Sequence, residues 1–294
     1  MKKLKTAYFG SPDFSAQFLE KILSDKDLPV EIVTVITPPD KPAGRKGTMT
    51  GVPVKKIAQK HNIPVIHSLQ ELHPDLDLAL LFAYGEILPL EILKKPKYGI
   101  WNVHPSLLPL YRGAAPMATP LIEGVSTTGV TLMKMDEKLD HGPIISQKET
   151  EILPKERHPE LAKRLSDLGY ELFKKAVSEF VSHENSIPMK DQNDSKATFT
   201  KTFTKQDGFT QAADFSEKPK EVFNRFRGLY PWPGLWTLLR LKASEGQAKK
   251  VEKRLKITDM DLIDGKIVIK KVQLEGKKET DYSSFCKAYN LVLY

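Results

Sequence analysis

The residues best suited to chemistry lie in Gly99-Ile100-Trp101-Asn102-Val103-His104-Pro105-Ser106. The apolar and β-branched content predicts a strand, in which alternate side chains share a face, so Asn102 and His104 project together near its carboxyl end. Pro105 bars His104 from helical geometry and turns the chain into the loop Ser106-Leu107-Leu108-Pro109. An amide that donates and an imidazole that holds or passes a proton suit acyl or formyl transfer, in which an oxyanion develops. Asn also serves turns at strand ends and His precedes Pro in many loops, so the pair alone defines no site. Asp140 supplies the third group. It lies in Leu139-Asp140-His141-Gly142-Pro143, after the strand-like Gly129-Val130-Thr131-Leu132-Met133. Gly-Pro predicts a tight loop there, able to bring a carboxylate to the first loop from an adjacent strand end.

These groups need a scaffold, and the chain alternates strands with helices. Thr6 to Gly10 reads as a strand. Ser11-Pro12-Asp13 opens a helix whose apolar stripe is Phe14, Phe18, Ile22 and Leu23. Residues 31–37, 64–66 and 78–82 read as further strands, 54–60 and 161–181 as helices. The alternation predicts an α/β fold with a doubly wound, mostly parallel sheet, whose ligands sit at the strands' carboxyl edge. Two loops belong to that edge. Residues 38–51 are rich in Pro and Gly and hold Lys41, Arg45 and Lys46, while Ala83-Tyr84-Gly85-Glu86-Ile87-Leu88 can present bare backbone.

After residue 190 the composition turns polar, which predicts a linker over 191–206. Short strands at 238–241, 254–257, 266–272 and 290–294 then predict a small C-terminal β-barrel over 207–294. Trp232 and Trp236 are expected as its buried anchors. A catalytic domain over 1–190 precedes it.

Hydrophobic content of 40% and charged content of 28% are ordinary for a globular protein. No apolar run reaches about 18 residues, so no membrane span is expected, and the N-terminus reads as a first strand of a cytoplasmic protein. The net charge of +8 is uneven: residues 191–294 hold 20 Lys and Arg against 14 Asp and Glu, leaving only +2 for the rest. A basic end suits a polyanionic partner, as do solvated lysines with no partner. Gly-x-Gly-x-x-Gly and phosphate-loop signatures are absent, and Ser106 lacks a nucleophile elbow. His61, His67 and His73 recur every six residues, which puts no pair on one helix face, so no metal is assigned. Cys286 is alone.

The run Asn102-Val103-His104-Pro105-Ser106-Leu107-Leu108-Pro109, with Leu139-Asp140-His141-Gly142 after it, resembles the core signature of the folate-dependent formyltransferases. Arg112-Gly113-Ala114-Ala115-Pro116 resembles the branch acting on methionyl-tRNA, and Pro231-Trp232-Pro233-Gly234 the opening of that family's C-terminal barrel. The resemblance implies a Rossmann-like catalytic domain, an OB-like barrel that binds tRNA, and formyl transfer from 10-formyltetrahydrofolate, a co-substrate, to the α-amino group of initiator methionyl-tRNA. It implies Asn102, His104 and Asp140 as catalytic residues. Ser106, Leu107, Leu108, Pro109, Ala83, Tyr84, Gly85 and Leu88 would line the folate pocket, and Lys41, Arg45 and Lys46 would approach the tRNA. A cytoplasmic monomer without metal, membrane or DNA is expected. The chain departs from the pattern at His141, at Pro143 and at Phe209 to Phe215, and its C-terminal domain is compact. Two rivals stand beside this reading. One is a sugar-nucleotide N-formyltransferase using the same groups, against which the cationic loop at 38–51 counts. The other is an RNA-binding protein that keeps the fold without the activity, against which the intact Asn, His and Asp count.

Overall fold

The computed structural model describes residues 3–43, 48–241 and 251–291. In chain order the elements are β1 (Leu4–Gly10), α1 (Asp13–Ser24), β2 (Val30–Ile36), β3 (Lys41–Ala43), β4 (Thr48–Thr50), α2 (Pro53–Lys60), β5 (Val65–Ile66), β6 (Leu78–Phe82), α3 (Leu90–Leu93), β7 (Ile100–His104) and β8 (Arg112–Gly113). There follow α4 (Ala118–Glu123), β9 (Thr127–Lys134), β10 (Ile144–Glu151), α5 (His158–Ser182), β11 (Phe199–Thr200), α6 (Asp214–Glu217), α7 (Pro219–Leu229), β12 (Leu235–Leu241), β13 (Val251–Ile263), β14 (Lys266–Leu274), β15 (Glu279–Asp281) and α8 (Tyr282–Tyr289). They form two compact units. The first holds Met1–Pro116, Thr127–Glu151 and Ala162–Thr200, and the second Met117–Ser126, Ile152–Leu161 and Lys201–Tyr294.

The first unit is built on a seven-stranded sheet of order β10-β9-β7-β6-β1-β2-β5. Strands from β7 through β5 run parallel, and β9 and β10 are antiparallel additions at one edge. Every residue of β6 and β7 is buried, as expected of central strands covered on both faces. On one face Phe18 of α1 packs edge-on to Phe82 and Tyr170, and Trp101 of β7 edge-on to Phe173 and Phe180 of α5. On the other, Phe9, Ile36, Leu81, Tyr84, Leu88 and Ile92 share one cluster. Removing such a side chain from water contributes about 1.5–3 kcal/mol, so β6 and β7 are the rigid platform of the unit.

The second unit is a four-stranded antiparallel sheet of order β12-β13-β14-β15 with α4, α6, α7 and α8. Phe223, Phe226, Leu235, Leu255, Met260 and Val272 lie in its core. Gly228 of α7 permits close approach to α4, since a Cβ there would come within 2.6 Å of Ile122 Cγ1 and 2.7 Å of the Ala118 carbonyl.

Four expectations change. Within residues 38–51, expected as a plain loop, β3 and β4 pair antiparallel, Lys41 with Thr50 and Ala43 with Thr48. Trp232 is 59% exposed, whereas Trp236 is half-buried, meets the Phe209 ring at a tilt and donates Nε1–H to the Lys205 carbonyl. Asn290 closes α8 in the left-handed conformation and starts no strand, and 292–294 lie outside the described residues. The polar stretch after 190 is ordered: a 3-10 turn at Asp194–Lys196 and β11 pack within the first unit, where Phe199 and Thr200 pair with Arg112 and Gly113. Composition marked it as a linker because its bonds are polar instead of apolar.

Candidate active site

Asn102 and His104 stand on the same face of β7 and are 6% and 4% exposed. Asp140 reaches both. Its Oδ1 lies 3.5 Å from Asn102 Nδ2 and 3.6 Å from His104 Nδ1, and its Oδ2 accepts the Gly113 backbone N–H at 2.8 Å. Two nitrogens thus converge on one oxygen at distances too long for good hydrogen bonds, while the other oxygen is firmly held. His104 Nε2 donates to the Tyr111 carbonyl at 3.1 Å, which can only accept. The neutral ring therefore presents Nδ1 to the site as an acceptor, and the cationic ring presents it as a donor.

The Asp140 loop arrives by a route the sequence does not show. β9 is antiparallel to β7, pairing Trp101 with Lys134 and His104 with Thr131, so the loop leaves beside the start of β7, where Met135 N–H donates to the Ile100 carbonyl at 2.8 Å. It is not one of two neighbouring carboxyl ends. The hairpin closes tightly at Gly142, where a Cβ would stand 2.0 Å from the Lys134 carbonyl. Asp140 itself has φ of 47°, a conformation uncommon outside glycine and tolerated by Asp.

Residues to which the sequence assigned no role hold this loop. Gln192 Nε2 donates to the Asp140 and Gly142 carbonyls at 2.9 and 2.8 Å. Arg112, 4% exposed, directs Nε and Nη2 at Gln192 Oε1, at 3.1 and 2.7 Å, and Nη2 also at Asp194 Oδ1 at 2.8 Å. The Arg112 guanidinium, with His141 adding to it, holds the Asp194 carboxyl below the usual range. His141 spans Asp136 Oδ2 at 2.6 Å and Asp194 Oδ2 at 3.2 Å, so its departure from the family pattern is occupied in bracing this loop.

Of the residues expected to line a folate pocket, Ser106 is fully buried, with Oγ donating to the Leu110 carbonyl at 2.6 Å. Thr131 Oγ1 accepts the Leu108 N–H at 3.1 Å and donates to the Ser106 carbonyl at 2.6 Å, and Gln147 Nε2 donates to Thr131 and the Leu108 carbonyl. Leu107 is partly exposed and rests on Gly129; Leu108 is 3% exposed and Pro109 partly exposed. In the second loop the Tyr84 and Leu88 side chains are buried in the core, leaving only backbone to offer. Burial, with Glu86 adding to it, pushes the Tyr84 phenol up to about 12. Ala83 turns the chain at φ of 55°, Gly85 follows at 90° with open space where a Cβ would be, and Ile87 is 91% exposed. Such a loop suits a flat heterocycle that needs main-chain donors and acceptors beside an apolar wall. Lys41 is exposed on β3; Arg45 and Lys46 lie outside the described residues. Among the described residues no group of three His, Cys, Asp or Glu is placed to hold a metal ion, and no helix is long and apolar enough to cross a membrane.

A donor amide, an imidazole and a carboxylate meeting at one oxygen on an α/β sheet are the equipment of an acyl-group transferase. The chain belongs to the formyl transferase family, whose sequence profile matches residues 3–177, with the profile of the family's C-terminal domain matching residues 205–290. Methionyl-tRNA formyltransferase of Caldicellulosiruptor saccharolyticus is 35% identical, covering 97% of this chain and 96% of that protein. The enzyme of that name from Syntrophus aciditrophicus is 38% identical, covering 99% and 98%. Among solved structures, an N-formyltransferase of Helicobacter canadensis in complex with folinic acid and dTDP-3-aminofucose matches with a TM-score of 0.62 and 20% identity, over 90% of this chain and 95% of that one. That likeness concerns the fold.

Proposed function

We propose that the protein transfers the formyl group of 10-formyltetrahydrofolate to the α-amino group of initiator methionyl-tRNA, in the cytoplasm. The observation that carries the reading is the convergence of Asn102 Nδ2 and His104 Nδ1 on Asp140 Oδ1, in a chain similar along nearly its whole length to methionyl-tRNA formyltransferases. The folate supplies the formyl group. Ala83, Gly85 and the backbone of Tyr84 and Leu88, with Leu107 and Pro109, would hold it, and Ser106 and Leu108 would shape that loop from within. An α-amino group with an ordinary pKa of about 8 is partly neutral near pH 7, so attack on the formyl carbon needs no strong base. Asn102 donates to the oxyanion that then forms. His104 donates through Nδ1–H when that nitrogen carries a proton; each such donor contributes about 3–4 kcal/mol in comparable sites. Asp140, one oxygen fixed by Gly113 and the other loosely met, accepts the proton of the attacking nitrogen and returns it to the leaving one.

Lys41, Arg45 and Lys46 would meet the tRNA phosphates together with the basic C-terminal unit. The test supplies the purified protein with 10-formyltetrahydrofolate and either methionyl-tRNA or an amino-sugar nucleotide. Formylation of methionyl-tRNA supports the reading. Transfer to the sugar nucleotide alone replaces it with the rival activity.

A further inference from the structure

We infer that Gln192 is a positioning residue for formyl transfer, acting through Asp140. The inference rests on the function proposed above. Gln192 lies between the segments matched by the two family profiles, 3–177 and 205–290, in a stretch whose composition reads as linker. Its side-chain amide is nevertheless fully used. Both Nε2 hydrogens go to the Asp140 loop, one to the carbonyl of Asp140 and one to that of Gly142. Its oxygen takes two hydrogens from the buried guanidinium of Arg112. A guanidinium presents its donors in a fixed plane, so this fork sets the plane and the sense of the amide: oxygen toward Arg112, nitrogen toward the loop.

The consequence falls on Asp140. With φ of 47° its backbone sits in a region that costs a non-glycine residue free energy and persists only where the surroundings hold it. Gln192 fixes the carbonyls of Asp140 and Gly142, and Gly113 fixes the carboxylate. Together they leave Oδ1 aimed between Asn102 and His104. Without the two amide donors the loop keeps its tight turn at Gly142 and the Gly113 contact but loses the bonds that hold the carbonyls of residues 140 and 142, and a displacement of about 1 Å at a catalytic group costs on the order of a hundredfold in rate.

Gln192→Glu isolates this role. The carboxylate has the same size and pairs at least as well with Arg112, but it sets acceptors against two carbonyl oxygens. For the full-length protein forming formylmethionyl-tRNA, we expect kcat to fall about tenfold or more, with KM for both substrates within about twofold and the fold retained, the pattern of an interaction needed in the transition state. Single-turnover rates complete a double-mutant cycle. In an Asp140→Asn background Gln192→Glu should cost less than about twofold, because a residue acting through Asp140 has little left to position. Should Gln192→Glu fail to fold, Gln192→Met, of similar length and without donors, carries the same cycle. A parental kcat in the substituted protein, or an equal loss in both backgrounds, overturns the inference while the function stands. A parent protein that formylates no methionyl-tRNA overturns the proposed function and this inference with it.

Discussion

His104 donates its Nε2–H to the main-chain carbonyl of Tyr111 at 3.1 Å, so only Nδ1 faces Asp140 and the space where a reacting oxygen would sit. The ring is thereby fixed in orientation. His104→Ala should reduce kcat by about a hundredfold or more, and Asp140→Asn likewise, with the fold retained, since each group is needed as charge and proton move. Steady-state assays beside thermal melts check this; near-normal turnover in either variant removes that residue from the mechanism.

Gly142→Ala should damage both stability and rate. The added methyl would meet the Lys134 carbonyl at 2.0 Å, and backbone cannot give as a side-chain tip can. The β9–β10 hairpin must open, at a cost of about 1–3 kcal/mol, and Asp140 moves with it. Urea titration should show the lost stability, and kcat should fall more than the KM for folate changes.

The acid stability of the first unit should depend on Asp25. Its Oδ2 accepts from Lys174 Nζ at 2.7 Å and Tyr170 Oη at 2.5 Å, and these two, Lys174 foremost, hold the carboxyl down to about 2. A depressed carboxyl value gives stability that is fully present above the unfolded value of about 3.9 and is lost as pH falls toward 2. Asp25→Asn should therefore lower the melting temperature by about 2–5 °C at pH 7. The gap to the parent should close as pH falls below 4. A gap that is constant with pH would contradict this origin.

Much of the first unit is legible in the sequence, because β6 and β7 read as apolar runs and α1 carries its stripe Phe14, Phe18, Ile22 and Leu23. That Asn102, His104 and Asp140 come together is legible too, by residue type and spacing. The path of the Asp140 loop is not, since nothing local in Gly129 to Met133 says that β9 runs antiparallel to β7. The bracing of that loop is equally hidden. Arg112 and Gln192 are 80 residues apart, and a buried polar network leaves no periodicity to read. That the Tyr84 and Leu88 side chains turn inward to the core, so that their loop can offer only backbone, is equally hidden, since an apolar residue in a loop reads the same whether it faces a ligand or the core.

Arg45 is expected to meet the tRNA and to leave the chemistry alone. Its guanidinium suits phosphate or a base edge better than the neighbouring lysines do. Arg45→Ala should raise KM for methionyl-tRNA or lower kcat/KM, scarcely alter folate binding, and flatten the dependence of kcat/KM on salt. Unaltered tRNA kinetics across several salt concentrations would make the loop passive and favour the sugar-nucleotide rival.

Asn102 and its two neighbours are expected to act on the formyl group as its oxygen gains charge. Asn102→Leu removes the one donor that serves in every protonation state and keeps the volume nearly constant. The decisive measurement is the single-turnover rate of formyl transfer to methionyl-tRNA, taken beside the dissociation constant for the folate donor in the same variant. A rate about a hundredfold or more below the parent is expected, with folate affinity within about twofold. A near-parental rate would contradict it.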